Sequence, residues 1–217
     1  MVNCNNNKIS MTPLVYTGGP CMCNGYLLQT PTGYVAIDAP LGFTAWLKKK
    51  LPADAVVTDL LITHQHFDHV QDAAALATAY GCRIHACKPY STALTLEDLA
   101  RNSWGGGFEV EPFRVDDAFG PGCMQADWGG LRWAIHHIPG HSPDGVAYEL
   151  PEHECVFCGD ILFAGSVGRT DFPGGSMSTL VNGIRNKLLP LPHTTIIHSG
   201  HGPDSTLGEE TLNNPYL

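Results

Sequence analysis

The sequence THQHFDHV at residues 63–70 places three histidines and one aspartate within a single short stretch. It follows the apolar run DLLIT at 59–63, whose length and near-continuous hydrophobicity are typical of a buried strand. Imidazole and carboxylate groups both bind metal ions, and loops held by a rigid sheet can bring ligands together from distant positions. The stretch therefore predicts a metal site where a strand ends.

Three other stretches repeat this pattern, in which an apolar strand ends and a ligand-type residue follows in a turn with Gly or Pro. They are AIHHIPGHSP at 134–143, CVFCGDILF at 155–163 and TIIHSGHGP at 195–203. The candidate ligands are His64, His66, Asp68, His69, His141, Asp160 and His201. This set has no thiolate, which argues against a closed structural zinc site, and it suits zinc, iron or manganese. Seven ligands are too many for one tetrahedral ion, so the set indicates two ions that share a carboxylate and activate water for hydrolysis.

The rest of the chain predicts an alternation of short strands and helices. Strands are predicted at 14–17, 25–30, 33–38, 59–63, 82–87, 108–115, 131–138, 145–150, 155–163 and 194–200. Helices are predicted at 43–51, 72–80, 95–101 and 176–188, the third of them beginning with a TLED capping box. Strand clusters in each half, with helices between and after them, predict two sheets sandwiched between helices.

Length and charge restrict the classes of protein. A chain of 217 residues fits one domain, and we expect a flexible tail at 1–9 followed by a single domain at 10–217. The net charge of −9 argues against a nucleic-acid partner. No apolar run is long enough for a membrane span, and MVNCNNNKISM has no secretory h-region, so we expect a cytoplasmic protein that does not bind membranes.

Four of the eight cysteines form two pairs that are closely spaced in the sequence. Cys155 and Cys158 lie in an apolar strand, where positions three apart point to opposite faces, so we expect buried free thiols rather than a redox or zinc pair. Cys21 and Cys23 lie in the loop-like stretch PCMCN. Because no second pair has zinc-knuckle spacing, we expect no metal at Cys21 and Cys23 either.

The motifs THQHFDHV, PGHSP, CGDILF and SGHGP, in this order and spacing, resemble those of the metallo-β-lactamase superfamily. The resemblance implies an αββα sandwich of the α/β (α+β) class, with two mixed β-sheets packed face to face between helices. It also implies two divalent metal ions, with zinc favoured and iron or manganese as alternatives. By this resemblance, the first ion is bound by His64, His66 and His141, the second by Asp68, His69 and His201, and both by Asp160.

GRTDFPGGS at 168–176 and the C-terminal stretch are similar to those of the glyoxalase II-like branch, especially its short bacterial members. The branch implies hydrolysis of a small-molecule thioester such as S-acylglutathione by a metal-bridging hydroxide, with Asp68 and Asp160 as catalytic residues. Full glyoxalase II enzymes have a C-terminal helical domain that binds glutathione, and its contacts are not carried over to a chain ending at Leu217. The alternatives are a mononuclear iron persulfide dioxygenase and a hydrolase of lactones or other esters.

His66 and His69 separate the chain from two other branches of the superfamily. The flavodiiron oxidoreductases have glutamate where His66 stands. The combination of His69 with Asp160 also differs from many true β-lactamases, in which a cysteine occupies the second site.

Several other residues could be mistaken for members of the site or could support it. Arg169 either binds a substrate carboxylate or forms an ion pair with Asp171, and the ion pair is slightly favoured. Asp38, at a strand end, is expected to accept a hydrogen bond from a ligand histidine or from a backbone amide of the ligand loop. We expect structural or surface roles for His85, His136, His137, His153, His193 and His198, and no nucleophile at Ser142 or Ser199.

Overall fold

Two six-stranded β-sheets form the centre of the computed structural model, which describes residues 11–106 and 108–217. The first sheet contains β1 (Leu14–Gly18), β2 (Cys23–Thr30), β3 (Gly33–Ile37), β4 (Val57–Leu61), β5 (Arg83–Ala86) and β6 (Asp117–Ala118), in that order. β1 to β3 pair antiparallel, and β3 to β6 pair parallel. The tail predicted at 1–9 lies outside the described residues, and the single domain at 10–217 stays a prediction.

The second sheet is built from the later strands. They are β7 (Gln125–Trp128), β8 (Leu131–His137), β9 (Val146–Leu150), β10 (Cys155–Gly159), β13 (Ile196–Ser199) and β14 (Ser205–Thr206). Between β10 and β13 in the chain, β11 (Leu162–Phe163) and β12 (Ser166–Val167) form a separate hairpin. Across this sheet the order is β14-β13-β10-β9-β8-β7, and only β10 and β13 pair parallel. Both sheets are therefore mixed, as predicted.

Helices cover the outer faces of the two sheets. They are α1 (Phe43–Lys50), α2 (Phe67–Val70), α3 (Ala73–Tyr80), α4 (Thr92–Thr95), α5 (Glu97–Trp104), α6 (Met177–Lys187) and α7 (Leu207–Asn213), with a 3-10 turn at Pro151–His153. Three lysines in the last turn of α1 interact favourably with the helix dipole. α3 ends at Gly81, whose φ of 68° suits glycine. Within the described residues, no helix is long and apolar enough to cross a membrane.

Three apolar layers hold the sandwich together. The central layer lies between the sheets and contains Trp133, Tyr148 and Phe157 together with Leu28 from the first sheet. One outer layer packs the first sheet against α1, α3 and α5, and the other packs the second sheet against α6 and α7. This arrangement confirms the αββα sandwich.

The predicted positions of the β10 cysteines are confirmed. Cys155 and Cys158 are buried free thiols. Cys155 faces the central layer, and Cys158 faces the layer beneath α6. Positions three apart in a strand point to opposite faces, and the two sulfurs therefore cannot act as a pair.

Three predictions about local structure are wrong. Residues 108–115 form no strand: Val110 and Phe113 are buried against the helical layer, so their spacing serves packing rather than strand pairing. The TLED capping box does not form, because Thr95 ends α4 and donates its hydroxyl to Thr92 O at 3.2 Å, and the Asp98 carboxylate accepts a hydrogen bond from Arg101. The single strand predicted at 155–163 is broken by a turn between β10 and β11.

Sequence reasoning also missed several short elements, including β7 and α7. For α7 a signal was available in the sequence TLGE at 206–209. Thr206 Oγ1 accepts a hydrogen bond from Glu209 N at 3.2 Å and caps the helix. β7 is an edge strand whose side chains are mostly exposed, and its sequence has little hydrophobic periodicity to detect.

Candidate metal centre

All seven candidate ligands lie in segments that follow strands β4, β8, β10 and β13, and the fold brings them together at one end of the sandwich. After β4, residues 62–66 form a loop, His66 is the N-cap of α2, and Asp68 and His69 lie within that helix. His141 lies between β8 and β9, Asp160 between β10 and β11, and His201 between β13 and β14. The loops that follow the strands thus deliver ligands from across the whole chain.

The first group consists of His64, His66 and His141. Their ring centroids are 4.5 to 4.9 Å apart, and one ligand nitrogen of each lies within 4.8 Å of the others. His141 Nδ1–H donates to Arg169 O at 2.7 Å, and this bond directs Nε2 into the group. This is the set predicted for the first ion.

The second group contains Asp68, His69 and His201, and the structure adds Cys23 to it. His201 Nε2 lies 3.2 Å from Asp68 Oδ2. His69 Nδ1–H donates to Asp38 Oδ2 at 2.7 Å, which leaves Nε2 facing the group. Cys23, for which we expected no metal, therefore lies among the residues predicted for the second ion.

Asp160 lies between the two groups. Its Oδ2 is 3.5 Å from His141 Nε2 of the first group and 3.5 Å from His201 Nε2 of the second. Its Oδ1 is 3.2 Å from His69 Nε2. A carboxylate that reaches both groups in this way has the geometry that a bridging ligand needs.

Four buried polar atoms in this region have no hydrogen-bond partner: His64 Nε2, His69 Nε2, His141 Nε2 and Asp160 Oδ1. The short approach of His69 Nε2 to Asp160 Oδ1 lacks hydrogen-bond geometry. One unsatisfied buried group costs about 1–3 kcal/mol, so four together would be a large penalty without a cation. Imidazole and carboxylate donors arranged in this way fit two divalent ions.

The charges differ between the two groups. Burial, and then the neighbouring imidazoles, lower the pKa of His64 well below its ordinary value and that of His66 to about 3. Neutral imidazoles are the form that binds metal ions.

In the second group, interactions between the carboxylates and the histidines determine the direction of the pKa shifts. Burial lowers the pKa of His201, but hydrogen bonds to Asp160 and Asp68 outweigh it and raise that pKa to about 10. Burial raises the pKa of Asp160, but the charge of His69 and a hydrogen bond from His201 outweigh it and hold the pKa well below the ordinary value. The group therefore has carboxylate charge that a bound proton or a metal ion can neutralise.

Two glycines allow the ligand loops to approach each other. A Cβ on Gly200 would lie 2.3 Å from Asp160 Oδ1 and 2.5 Å from His69 Cε1. A Cβ on Gly168 would lie 1.9 Å from Asp160 O. Only a residue without a side chain fits at these two points of contact.

A cavity of about 330 Å³ opens over the ligands. Its floor is formed by the predicted ligands His66, Asp68, His141, Asp160 and His201. Its walls are mainly apolar, from Phe67, Leu96, Leu99, Ala100, Trp104, Phe163 and Phe172, with Cys21 and Arg169 also in the lining. An apolar cavity with a few convergent polar groups is typical of a small-molecule site.

Arg169 forms an ion pair and also lines the cavity. Its Nε and Nη2 donate to the two carboxylate oxygens of Asp171 at 2.7 and 2.6 Å, so the favoured ion pair is present. The guanidinium also lies 4.1 Å from the ring centroid of Phe172 and lines the cavity. Because the side chain is half-exposed, this pairing leaves it able to meet a substrate as well.

The other histidines and serines have structural partners. His136 lies 2.7 Å from Glu149, His137 3.3 Å from Pro143 O, His198 3.0 Å from Asp204, and His85 2.8 Å from Asp59. Ser199 Oγ donates to Leu162 O at 2.7 Å, and Ser142 Oγ donates to Asp144. None of these residues belongs to a candidate metal group among the described residues.

Sequence reasoning missed Cys23 and Asp144. Asp144 Oδ2 accepts a hydrogen bond at 3.1 Å from the backbone N–H of Gln65, which stands between the ligands His64 and His66. The only sequence signals were a cysteine in a loop-like stretch and an aspartate in a turn, and neither has a spacing that links it to the ligands.

Comparisons with known proteins agree on one family. The family described as the Metallo-beta-lactamase superfamily matches residues 18–201. Hydroxyacylglutathione hydrolase GloC of Haemophilus influenzae is 38% identical over 159 residues, 73% of this chain and 74% of that protein.

Two solved structures are similar over nearly the whole chain. The crystal structure of the BLEG-1 B3 metallo-beta-lactamase has a TM-score of 0.83 and 29% identity, covering 95% of this chain and 99% of that one. The crystal structure of TTHA1623 in a di-iron-bound form has a TM-score of 0.80 and 37% identity, and the match covers 94% of this chain and 100% of that one.

Proposed function

The chain belongs to the metallo-β-lactamase superfamily, in its glyoxalase II-like branch, and we propose that it hydrolyses a small-molecule thioester at a pair of divalent ions. The superfamily consists mostly of metal-dependent hydrolases. The observation that carries the proposal is Asp160, which lies between two ligand groups that both contribute residues to one cavity. The similarity to hydroxyacylglutathione hydrolase GloC supports a thioester as the substrate.

Seven residues would hold the two ions: His64, His66 and His141 on one side, Asp68, His69 and His201 on the other, and Asp160 between them. Two adjacent divalent ions, when bound, lower the pKa of a water molecule and polarise a carbonyl oxygen. Imidazole and carboxylate ligands suit zinc, iron and manganese, and the resemblance to the superfamily favours zinc. The di-iron form of TTHA1623 is a reason to test iron as well.

Asp68 and Asp160 are the proposed catalytic carboxylates. Both line the cavity, and the Oδ2 atoms of both lie 3.2 to 3.5 Å from His201 Nε2. Carboxylates in this position can orient an attacking water molecule and accept its proton as the carbonyl is attacked. The C–S bond of the substrate then breaks, the leaving thiolate takes back the proton held by the carboxylate, and the thiol leaves through the open side of the cavity.

The walls of the cavity would bind the rest of the substrate. Trp104, Leu99 and Phe67 present an apolar surface that suits an acyl chain or the carbon skeleton of a thiol carrier. Arg169 is the one basic side chain apart from histidine in the described lining, and we propose that it contacts a substrate carboxylate. Phe172 and Asp171 would hold the guanidinium in place for that contact.

The test is hydrolysis of S-D-lactoylglutathione by the full chain loaded with zinc, iron or manganese in separate preparations. We expect hydrolysis with two bound ions per chain, and its loss in His66→Ala and Asp160→Ala. His193→Ala is the matched control, because this exposed histidine lies outside the described ligand groups and cavity lining. Full activity in the Asp160→Ala variant would refute the mechanism.

A second candidate activity, hydrolysis of β-lactams, is favoured by the similarity to the BLEG-1 B3 metallo-beta-lactamase. The same preparations should therefore be assayed with a β-lactam, a lactone and a thioester in parallel. Faster turnover of the β-lactam or the lactone would show that this class of compound is the substrate and that the thioester is not. A single iron per chain, with oxygen uptake on glutathione persulfide, would instead indicate a dioxygenase.

A further inference from the structure

Cys23 lies at the second ligand group, although it is not one of the seven ligands predicted from the sequence. Its sulfur and one ligand atom each from Asp68, His69 and His201 all lie within 4.8 Å of one another. The Cys23 side chain is fully buried, and its thiol donates a long hydrogen bond to Asn24 O at 3.7 Å. The thiol therefore faces ligands rather than solvent or apolar core.

The backbone ties Cys23 to the loop that carries His201. Asn24 N–H, next in β2, donates to Gly200 O at 2.7 Å. The Asn24 side-chain amide donates to Ser199 O at 3.1 Å and to Gly202 O at 3.0 Å, on either side of His201. Cys23 and His201 are thus held by one hydrogen-bonded unit, and their proximity does not depend on a flexible side chain.

An independent observation points to a cation at this place. His69 Nε2, a member of the same group, is fully buried and has no hydrogen-bond partner. Zinc bonds of about 2.0–2.3 Å require these four atoms to move inward by less than about 1 Å each. A shift of that size is within the reach of side-chain rotation.

We propose that Cys23 is a thiolate ligand of the second metal ion, in addition to Asp68, His69 and His201. On binding, the Sγ–H bond breaks, the proton passes to solvent, and a sulfur–metal bond forms. This inference rests on the two-ion site of the proposed function. It adds a soft sulfur donor to a set that otherwise consists of nitrogen and oxygen.

The thiolate makes the two metal positions unequal. Thiolate ligands favour zinc over manganese, whereas three imidazoles discriminate less strongly. The second position would therefore select zinc, and the first would accept a wider range of ions. In an equimolar mixture of zinc and manganese, the Cys23→Ser variant should take up more manganese than the unmodified chain.

The direct test is cobalt(II) titration of the full chain after its metals have been removed. We expect two equivalents to bind, with visible d–d absorption, and a sulfur-to-cobalt charge-transfer band in the near ultraviolet. Cys23→Ser should bind cobalt and lose that band. Cys21→Ser, two residues away in the cavity lining, and Cys155→Ser, between the sheets, should both keep it.

Each other outcome overturns the proposal in a recognisable way. Two bound cobalt ions without a charge-transfer band would overturn the role of Cys23 alone, and so would a band that persists in Cys23→Ser. No cobalt uptake at all would overturn the proposed function as well. Should Cys23→Ser not fold, X-ray absorption of the zinc-loaded chain decides the question, since a sulfur scatterer at about 2.3 Å is then required.

Discussion

Asp38 supports the site at the scale of a single residue without facing the cavity. Its carboxylate accepts hydrogen bonds from Thr63 N and Thr63 Oγ1, each at 2.8 Å, and from His69 Nδ1 at 2.7 Å. It thereby positions both the start of the ligand loop and the ring of one ligand. Sequence reasoning predicted an acceptor here, and the structure confirms it. The backbone at Asp38 has a φ of 54°, which non-glycine residues rarely adopt.

We predict that Asp38→Asn weakens retention of the second ion about 10- to 100-fold, the usual effect of removing the hydrogen-bond partner of a ligand histidine. Asparagine tolerates the left-handed backbone, so the fold should persist and the loss should be specific. Metal content after dialysis against a graded chelator measures it. Asp54→Asn, at an exposed position, should retain both ions, and equal retention in the two variants would contradict the prediction.

At the scale of elements, α5 gives the site its apolar wall. Leu99, Ala100 and Trp104 line the cavity, and Trp104 packs edge-on with Phe67 and Phe108 at centroid distances of 6.5 and 5.8 Å. The Trp104 side chain remains 53% exposed, although it is a large apolar group next to the ligands. An exposed aromatic side chain at the mouth of an apolar cavity is suited to cover a substrate.

We predict that Trp104→Ala raises KM for a thioester with a long or aromatic acyl group about fivefold, for a loss of about 1 kcal/mol of apolar contact. KM for S-D-lactoylglutathione should change less, because its acyl group is small and polar. Asn102→Ala is the matched control on the same helix, since this exposed residue does not line the cavity. Equal effects of Trp104→Ala on both substrates would show that the ring does not contact the acyl group.

At the scale of the whole molecule, a buried hydrogen bond between a histidine and an aspartate joins the parallel strands β4 and β5 of the first sheet. His85 Nε2 lies 2.8 Å from Asp59 Oδ1, and Gly129 N donates to Asp59 Oδ2 at 3.2 Å. Burial raises the pKa of Asp59, but hydrogen bonds from His85 and Thr58 outweigh it, and the pKa is lower than in the unfolded chain. Asp59 therefore stabilises the fold above the unfolded pKa, and this stabilisation is lost as the pH falls.

We predict that Asp59→Asn lowers the free energy of unfolding most at neutral pH. The difference in the free energy of unfolding between this variant and the unmodified chain should shrink as the pH falls below about 4, where the carboxyl becomes protonated in the unfolded chain. Urea unfolding of the metal-free protein at a series of pH values measures this without interference from ion release. Asp127→Asn, with a 72% exposed side chain, should show no such trend. A constant difference across pH would contradict the assignment.

The sequence by itself indicated the candidate ligands and the class of fold. His64, His66, Asp68 and His69 are adjacent in one loop, and His141, Asp160 and His201 each follow an apolar strand within a few residues. Such signals are local, because strand pattern, turn residues and ligand type all lie within about ten positions. The two sheets and most of their longer strands and helices could therefore be predicted, whereas the division of the ligands into two groups came from the resemblance of the motifs to the superfamily.

Only the tertiary structure decided how residues without a local signal take part. Cys23 reaches the second group because Asn24 pairs with a loop that lies far along the chain, and residues 108–115 pack against helices instead of forming a strand. The apolar wall formed by α5 and the position of Arg169 against Phe172 in the cavity lining likewise depend on which surfaces meet. Contacts between distant segments arise from packing and hydrogen bonding in three dimensions, which hydrophobic periodicity and motif spacing do not encode.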